Sequence, residues 1–130
     1  RLGDPETQCL MMQMDSDLVE SLEDALDNKK VSISWKKGSS VGVVIASDGY
    51  PKKYKTKIPI EIGNLNGLKL FHAGTNIVEN ELLTSGGRVF SLNYHGTNLE
   101  ECVSYIYSNI DEIKFDGIIY RGDIGKIYES

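Results

Sequence analysis

The sequence predicts an α+β domain with a mostly antiparallel sheet and two or three packed helices. Three observations point there. Apolar residues recur at helical spacing in two stretches, near 17–27 and 97–113. Between them the period drops to two, or the residues run continuously apolar, over segments too short for helices. Glycines punctuate those segments every few residues, as turns between short strands require. The chain has 130 residues, 40% of them hydrophobic and 25% charged, without internal repeats, linkers or low-complexity tracts. That composition suits one globular domain with a real core.

Asp4-Pro5-Glu6 opens the first helix. Asp is a favoured N-cap, Pro is tolerated at the first helical position, and Glu suits the positive helix end. The helix runs through Cys9, Leu10 and Met11 to Met14. A second helix starts near Ser16-Asp17, gathers Leu18, Val19, Leu22, Ala25 and Leu26 on one face, and ends at Asp27-Asn28-Lys29. Val31, Ile33 and Trp35 alternate with serines, which reads as a half-buried strand. Lys36-Lys37-Gly38-Ser39 then reads as a hairpin turn into 40–47, a nearly continuous apolar run typical of a strand covered on both faces.

Asp48-Gly49-Tyr50-Pro51 begins an irregular, lysine-rich stretch to Lys57. Short strands are expected at 58–62, 68–73, 77–83 and 88–94. Thr97-Asn98-Leu99-Glu100 reads as a capping box. Leu99, Val103, Ile106, Ile110 and Ile113 then define a helix of about four turns laid on the sheet. A strand at 116–120 and Arg121-Gly122-Asp123-Ile124-Gly125 complete the sequence.

Charge and ends narrow the function. Lys plus Arg is 14 against 19 Asp plus Glu, a net charge of −5. An acidic domain is a poor nucleic-acid binder, which needs a basic face to neutralise phosphates. No apolar run approaches the ~20 residues of a membrane helix. Arg1-Leu2-Gly3-Asp4-Pro5-Glu6 has no character of a targeting segment and reads as the interior of a longer polypeptide. Cys9 and Cys102 read as free thiols of a reducing compartment, with a single long-range disulfide as the alternative.

Four groups of residues are candidates for chemistry. Arg1, Asp4 and Glu6 surround a helix N-terminus, where an anion can be held and Arg adds a bidentate donor; an ordinary cap with a solvated Arg is the alternative. Thr84-Ser85-Gly86-Gly87-Arg88 has the residues of an anion-binding nest, or of a plain glycine turn, and matches neither phosphate-loop fingerprint. His72 stands on an expected strand beside a turn, where a structural histidine is commoner than a base. Tyr50 to Lys57 interleaves aromatics and lysines; in an acidic domain a solvated loop fits better than a nucleic-acid site. No metal-ligand spacing is present.

Five segments taken together are more specific: RLGDPETQ at 1–8, ASDGYP at 46–51, FHAGT at 71–75, TSGGRV at 84–89 and YRGDIG at 120–125. In this order and spacing the chain resembles, over essentially all 130 residues, the C-terminal domain of the phosphoribosylamine–glycine ligase family. The resemblance implies the C-terminal portion of a cytoplasmic ATP-grasp ligase of de novo purine synthesis. Such an enzyme joins glycine to 5-phosphoribosylamine through a glycyl phosphate and releases ADP and phosphate. It implies ATP with Mg2+ (or Mn2+), whose ligands would lie upstream of residue 1. Phosphoryl transfer between anions needs that metal and cationic groups to offset developing charge.

On this resemblance residues 1–14 are the trailing segment of the ATP-grasp active site and 15–130 the C-terminal domain, partnered by the enzyme's own N-terminal and ATP-grasp domains. Arg1 would stabilise the acyl phosphate electrostatically. Asp4 and Glu6 would orient an amine, and Ser85, Gly86, Gly87 and Arg88 would hold the ribose 5-phosphate. Lys52 and Thr56 depart from the family, which usually carries glycines in that loop. Alone, the 130 residues are expected to be catalytically silent. The competing expectation is a freestanding, non-catalytic module that binds a phosphorylated metabolite or a partner protein.

Overall fold

A computed structural model describes residues 1–126; residues 127–130 of the expected 15–130 domain lie outside the described residues. In chain order the elements are α1 (Glu6–Gln13), α2 (Leu18–Leu26), β1 (Ser39–Ser47), β2 (Glu61–Ile62), β3 (Lys69–His72) and β4 (Thr75–Val78). They continue with β5 (Glu81–Thr84), β6 (Arg88–Gly96), α3 (Leu99–Asn109), a 3-10 turn (Ile110–Glu112), β7 (Ile113–Lys114) and β8 (Ile118–Tyr120). The main sheet has the order β3-β6-β1-β8 with every neighbour antiparallel, and β2-β7 and β4-β5 form two small ribbons. The fold is therefore α+β, as the period change along the chain implies.

The two nine-residue strands β1 and β6 form the centre, paired from Ser39↔Gly96 to Ala46↔Arg88. Side chains alternate across a strand, so each face has its own composition. Val41, Val43, Ile45, Phe90 and Leu92 meet Cys102, Ile106 and Ile110 of the α3 segment in the main hydrophobic cluster. Burying each large aliphatic side chain there contributes roughly 1.5–3 kcal/mol. Gly42, Val44, Ser91 and Asn93 belong to the opposite face. This face takes α1: Ser40 Oγ donates to Cys9 O at 2.7 Å, and the Cys9 thiol lies 3.7 Å from Asn93 Oδ1. β1 is thus covered on both sides, which is why its sequence loses the polar alternation of a half-exposed strand.

Several elements differ from the sequence reading, each for a local reason. Residues 31–35 form no strand: they are exposed and join the segment after α1 through a Met14↔Trp35 bridge and hydrogen bonds of Ser34 with Asp15 and Ser16. Without that strand, 36–39 is not a hairpin turn. The expected strand at 77–83 is a hairpin, because Glu79 and Asn80 both take positive φ, 51° and 68°, and reverse the chain. Of 58–62 only Glu61 and Ile62 pair as a strand; Pro59, lacking an N–H, makes an isolated bridge to Leu83.

The helix ends also shift. α3 is capped by Asn98 rather than Thr97: Asn98 Oδ1 accepts from Glu101 N at 2.9 Å, and Glu101 Oε2 accepts from Thr97 N at 2.9 Å. Hydrogen bonds from Thr97 hold the Glu101 carboxyl below its ordinary range. Ile113 leaves the helix and starts β7. Asp17 caps α2, accepting from Val19 N and Glu20 N, yet Val19, Leu22 and Leu26 on this helix are exposed. Asp4 is not the cap of α1; Pro5 occupies that position without a side-chain cap, and Asp4 turns elsewhere.

Gly42 sets how closely α1 lies on the sheet. A Cβ there would meet Asn93 Oδ1 at 2.3 Å and the Cys9 sulfur at 2.9 Å. Gly42→Ala is expected to lose about 1–3 kcal/mol. Gly122→Ala, which meets nothing within 4 Å, should stay within about 0.5 kcal/mol. Urea unfolding of both variants checks the difference.

Candidate active-site wall

Arg88 owes its direction to a bulge. Ile45 pairs with Phe90 but Ala46 pairs with Arg88, so Val89 is an extra residue on β6. With regular pairing in place of the bulge, Arg88 would fall opposite Ser47 on the core face. With the bulge Arg88 shares the α1 face with Ala46, while Val89 is wholly buried. Its guanidinium then reaches a residue 84 positions away: Nη2 donates to Asp4 Oδ2 at 2.8 Å and Nη1 to Asp4 O at 3.2 Å. Asp4 Oδ1 accepts from Gln8 Nε2 at 3.0 Å. Two candidate groups that are separate in sequence therefore form one cluster, and Gln8, which sequence reading passed over, belongs to it.

Arg1 and Glu6 stand at the same end of α1, both exposed. The Glu6 carboxylate lies over Gly3, where an added Cβ would meet Oε2 at 2.5 Å. Burial, with a smaller effect from the Glu6 charge, pushes the Cys9 thiol pKa up and disfavours its thiolate.

The glycines of 84–88 have packing reasons. Gly86 lies against Gly74, whose own Cβ would come within 2.6 Å of the Gly86 Cα, and a Cβ on Gly87 would meet the Tyr50 ring at 2.3 Å. Ser85 N–H is already donated to Gly74 O at 2.8 Å, and neither Gly86 nor Gly87 has positive φ. An anion at this turn would meet Arg88 and the exposed Ser85 rather than a cradle of backbone amides. His72 has a structural setting, with Nδ1 2.9 Å from Thr75 Oγ1 and its ring edge-on to Phe90.

The five sequence segments converge on Arg88. Asp4 pairs with it, Gly74 N donates to its carbonyl at 2.8 Å, and Tyr50 packs on Gly87 beside it. Tyr50, Arg88, Ile119, Tyr120 and Arg121 line an open groove of about 400 Å3 floored by Val44 and Ala46. Arg121 is held by Asp123, whose carboxyl the Arg121 hydrogen bonds keep below the ordinary range. Tyr50, Tyr120 and Arg121 are further residues that spacing alone did not single out, although they lie in the quoted segments. A larger cleft of about 900 Å3 carries Glu61, Asp111 and Asp116 against a single Lys114, a net negative lining that disfavours an anionic substrate. Two arginines and an aromatic rim make the smaller groove the better site for an anion.

Among the described residues no group of three or more His, Cys, Asp or Glu could hold a metal ion, and no helix is long and apolar enough to cross a membrane. The Asp4 and Arg88 side chains remain 53% and 38% exposed. A pair this open contributes only about 0.2–1 kcal/mol to stability, so it orients more than it stabilises. A double-mutant cycle of Asp4→Ala and Arg88→Ala by urea unfolding should give a coupling in that range.

Comparison with known proteins places this arrangement. Residues 40–127 match the family model described as phosphoribosylglycinamide synthetase, C domain. The chain is 44% identical over 128 residues to phosphoribosylamine–glycine ligase of Clostridium acetobutylicum, covering 97% of this chain and 31% of that protein. It is 39% identical over 129 residues to the ligase of Halalkalibacterium halodurans, covering 96% and 30%. A crystal structure of phosphoribosylamine–glycine ligase from Thermotoga maritima superposes with a TM-score of 0.85 at 29% identity, over 95% of this chain and 31% of that one. The chain thus spans less than a third of the length of these relatives. It belongs to the phosphoribosylglycinamide synthetase C-domain family.

Proposed function

We propose that this chain is the C-terminal part of an ATP-dependent carbon–nitrogen ligase that joins glycine to 5-phosphoribosylamine, releasing ADP and phosphate, in cytoplasmic purine biosynthesis. The observation that carries the proposal is kinship with phosphoribosylamine–glycine ligases along nearly the whole chain. That these relatives are about three times longer weighs against a freestanding binding module. The exposed Val19, Leu22, Leu26 and Trp35 suit an interface with the N-terminal and ATP-grasp parts of a larger polypeptide. Residues 1–14 are then the trailing segment of the ATP-grasp site and 15–130 the C-terminal domain.

The residues divide the work by charge. On the family resemblance, ATP and Mg2+ (or Mn2+) would be held by ligands upstream of residue 1, and the metal would offset charge on the transferring phosphoryl group. Arg1, exposed ahead of α1, offsets charge developing on the acyl phosphate, where a fixed cation gains most if water is excluded. Asp4 and Glu6 present carboxylates to an amine, either glycine's ammonium or the ribosyl amine. Arg88 and Ser85 would contact the ribose 5-phosphate, with Gly86 and Gly87 letting their turn pack closely against Gly74 and Tyr50 behind them. Arg88 spends one face on Asp4 and keeps other N–H donors for the groove. A single guanidinium thereby fixes the distance between the amine-facing and phosphate-facing groups, which is the positioning an amine attack requires.

Arg1→Ala in the full-length polypeptide is the test of this division. Turnover is expected to fall on the order of a hundredfold while the KM for ATP changes little. Unchanged turnover would contradict the role of Arg1.

A further inference from the structure

Gln8 carries a polar group that the proposed roles do not use. Its Nε2 donates to Asp4 Oδ1, while its Oε1 is buried without a hydrogen-bond partner. Rotating the amide would set Oε1 against the Asp4 carboxylate, acceptor facing acceptor. The orientation is therefore dictated by Asp4. Buried acceptors are seldom left unpaired, since their desolvation is not repaid. The adjoining cavity, bounded by Asp4, Gln8, Arg88 and Ser91, is about 10 Å3, room for roughly one water. An apolar side chain of similar size would avoid the orphan acceptor altogether. A water in that cavity would satisfy Oε1, leaving the Gln8 Nε2 to hold a half-exposed carboxylate on a weak surface pair, a task of orientation rather than stability.

We propose that Gln8 is a positioning residue for amine recognition. Its Nε2 fixes Oδ1 of Asp4 while Arg88 fixes Oδ2, so the carboxylate presents its remaining lone pairs in one direction to an incoming primary amine. This rests on the assignment of Asp4 as amine-facing.

The test uses the full-length polypeptide carrying Gln8→Leu, Gln8→Glu or Asp4→Asn, with KM values for glycine, 5-phosphoribosylamine and ATP, kcat, and Tm. Gln8→Leu is expected to raise the KM of one amine substrate about tenfold, as expected for one lost hydrogen bond to a charged group. Its KM for ATP should not move, and its Tm should hold or rise. Gln8→Glu, which sets a second carboxylate against Asp4, should raise the same KM at least as much. If Asp4→Asn raises an amine KM and Gln8→Leu leaves both amine KM values within about twofold, the role of Gln8 is overturned and that of Asp4 stands. If Asp4→Asn moves neither amine KM, the amine-facing assignment fails and the Gln8 role with it. A Tm loss beyond about 5 °C in Gln8→Leu, more than 1 kcal/mol in a protein of this kind, with all KM values raised alike, makes Gln8 structural and also overturns the proposal.

Discussion

The extra residue in β6 decides how the rest of the site is arranged. Val89 fills the core, and the bulge that accommodates it sets Arg88 opposite Ala46 on the α1 side of the sheet, not on the α3 side where regular alternation from Phe90 would put it. From there Arg88 reaches Asp4, and Asp4 in turn fixes Gln8. The β6 strand and the segment before α1 are thus joined by side chains 84 residues apart. The bond is weak because both partners are half in water. What holds α1 in place is the sheet beneath it, where Gly42 permits contact and Ser40 anchors the helix carbonyl of Cys9. Packing supplies the stability and the ion pair supplies direction.

Much of this frame is legible in the sequence, because its strongest signals are those of burial. The apolar run at 40–47 and the Leu99-to-Ile110 periodicity mark the two sides of the core, and Asp17 caps α2 where its position implies. The misreadings come from competition that a pattern does not register. Val31, Ile33 and Trp35 have strand periodicity, yet the segment extends no ladder and makes only an isolated bridge from Trp35 to Met14. The run at 77–83 is apolar enough for one strand, yet Glu79 and Asn80 adopt turn geometry. Asn98 outcompetes Thr97 for the cap because its amide oxygen reaches Glu101 N.

The site was legible in its residue types and not in its connections. Asp4 and Arg88 could each be nominated from neighbours in sequence, but their pairing depends on a bulge that no composition signal announces. The double glycine at 86–87 looked like an anion nest; the structure gives it a different physical reason, the close approach of Gly74 and Tyr50. Gln8 escaped notice because an i, i+4 amide beside an aspartate is unremarkable until its other end proves buried and unpaired. The exposed apolar residues of α2 and of 31–35 are the surface proposed for contact with the remainder of a longer protein.

The most direct measurement is ADP formation from ATP with Mg2+, glycine and 5-phosphoribosylamine, made on the full-length polypeptide and on these 130 residues alone. The account expects ADP release from the full-length polypeptide that depends on glycine, and none from the isolated chain. Turnover by the isolated chain, or a full-length polypeptide that releases no ADP, would contradict it.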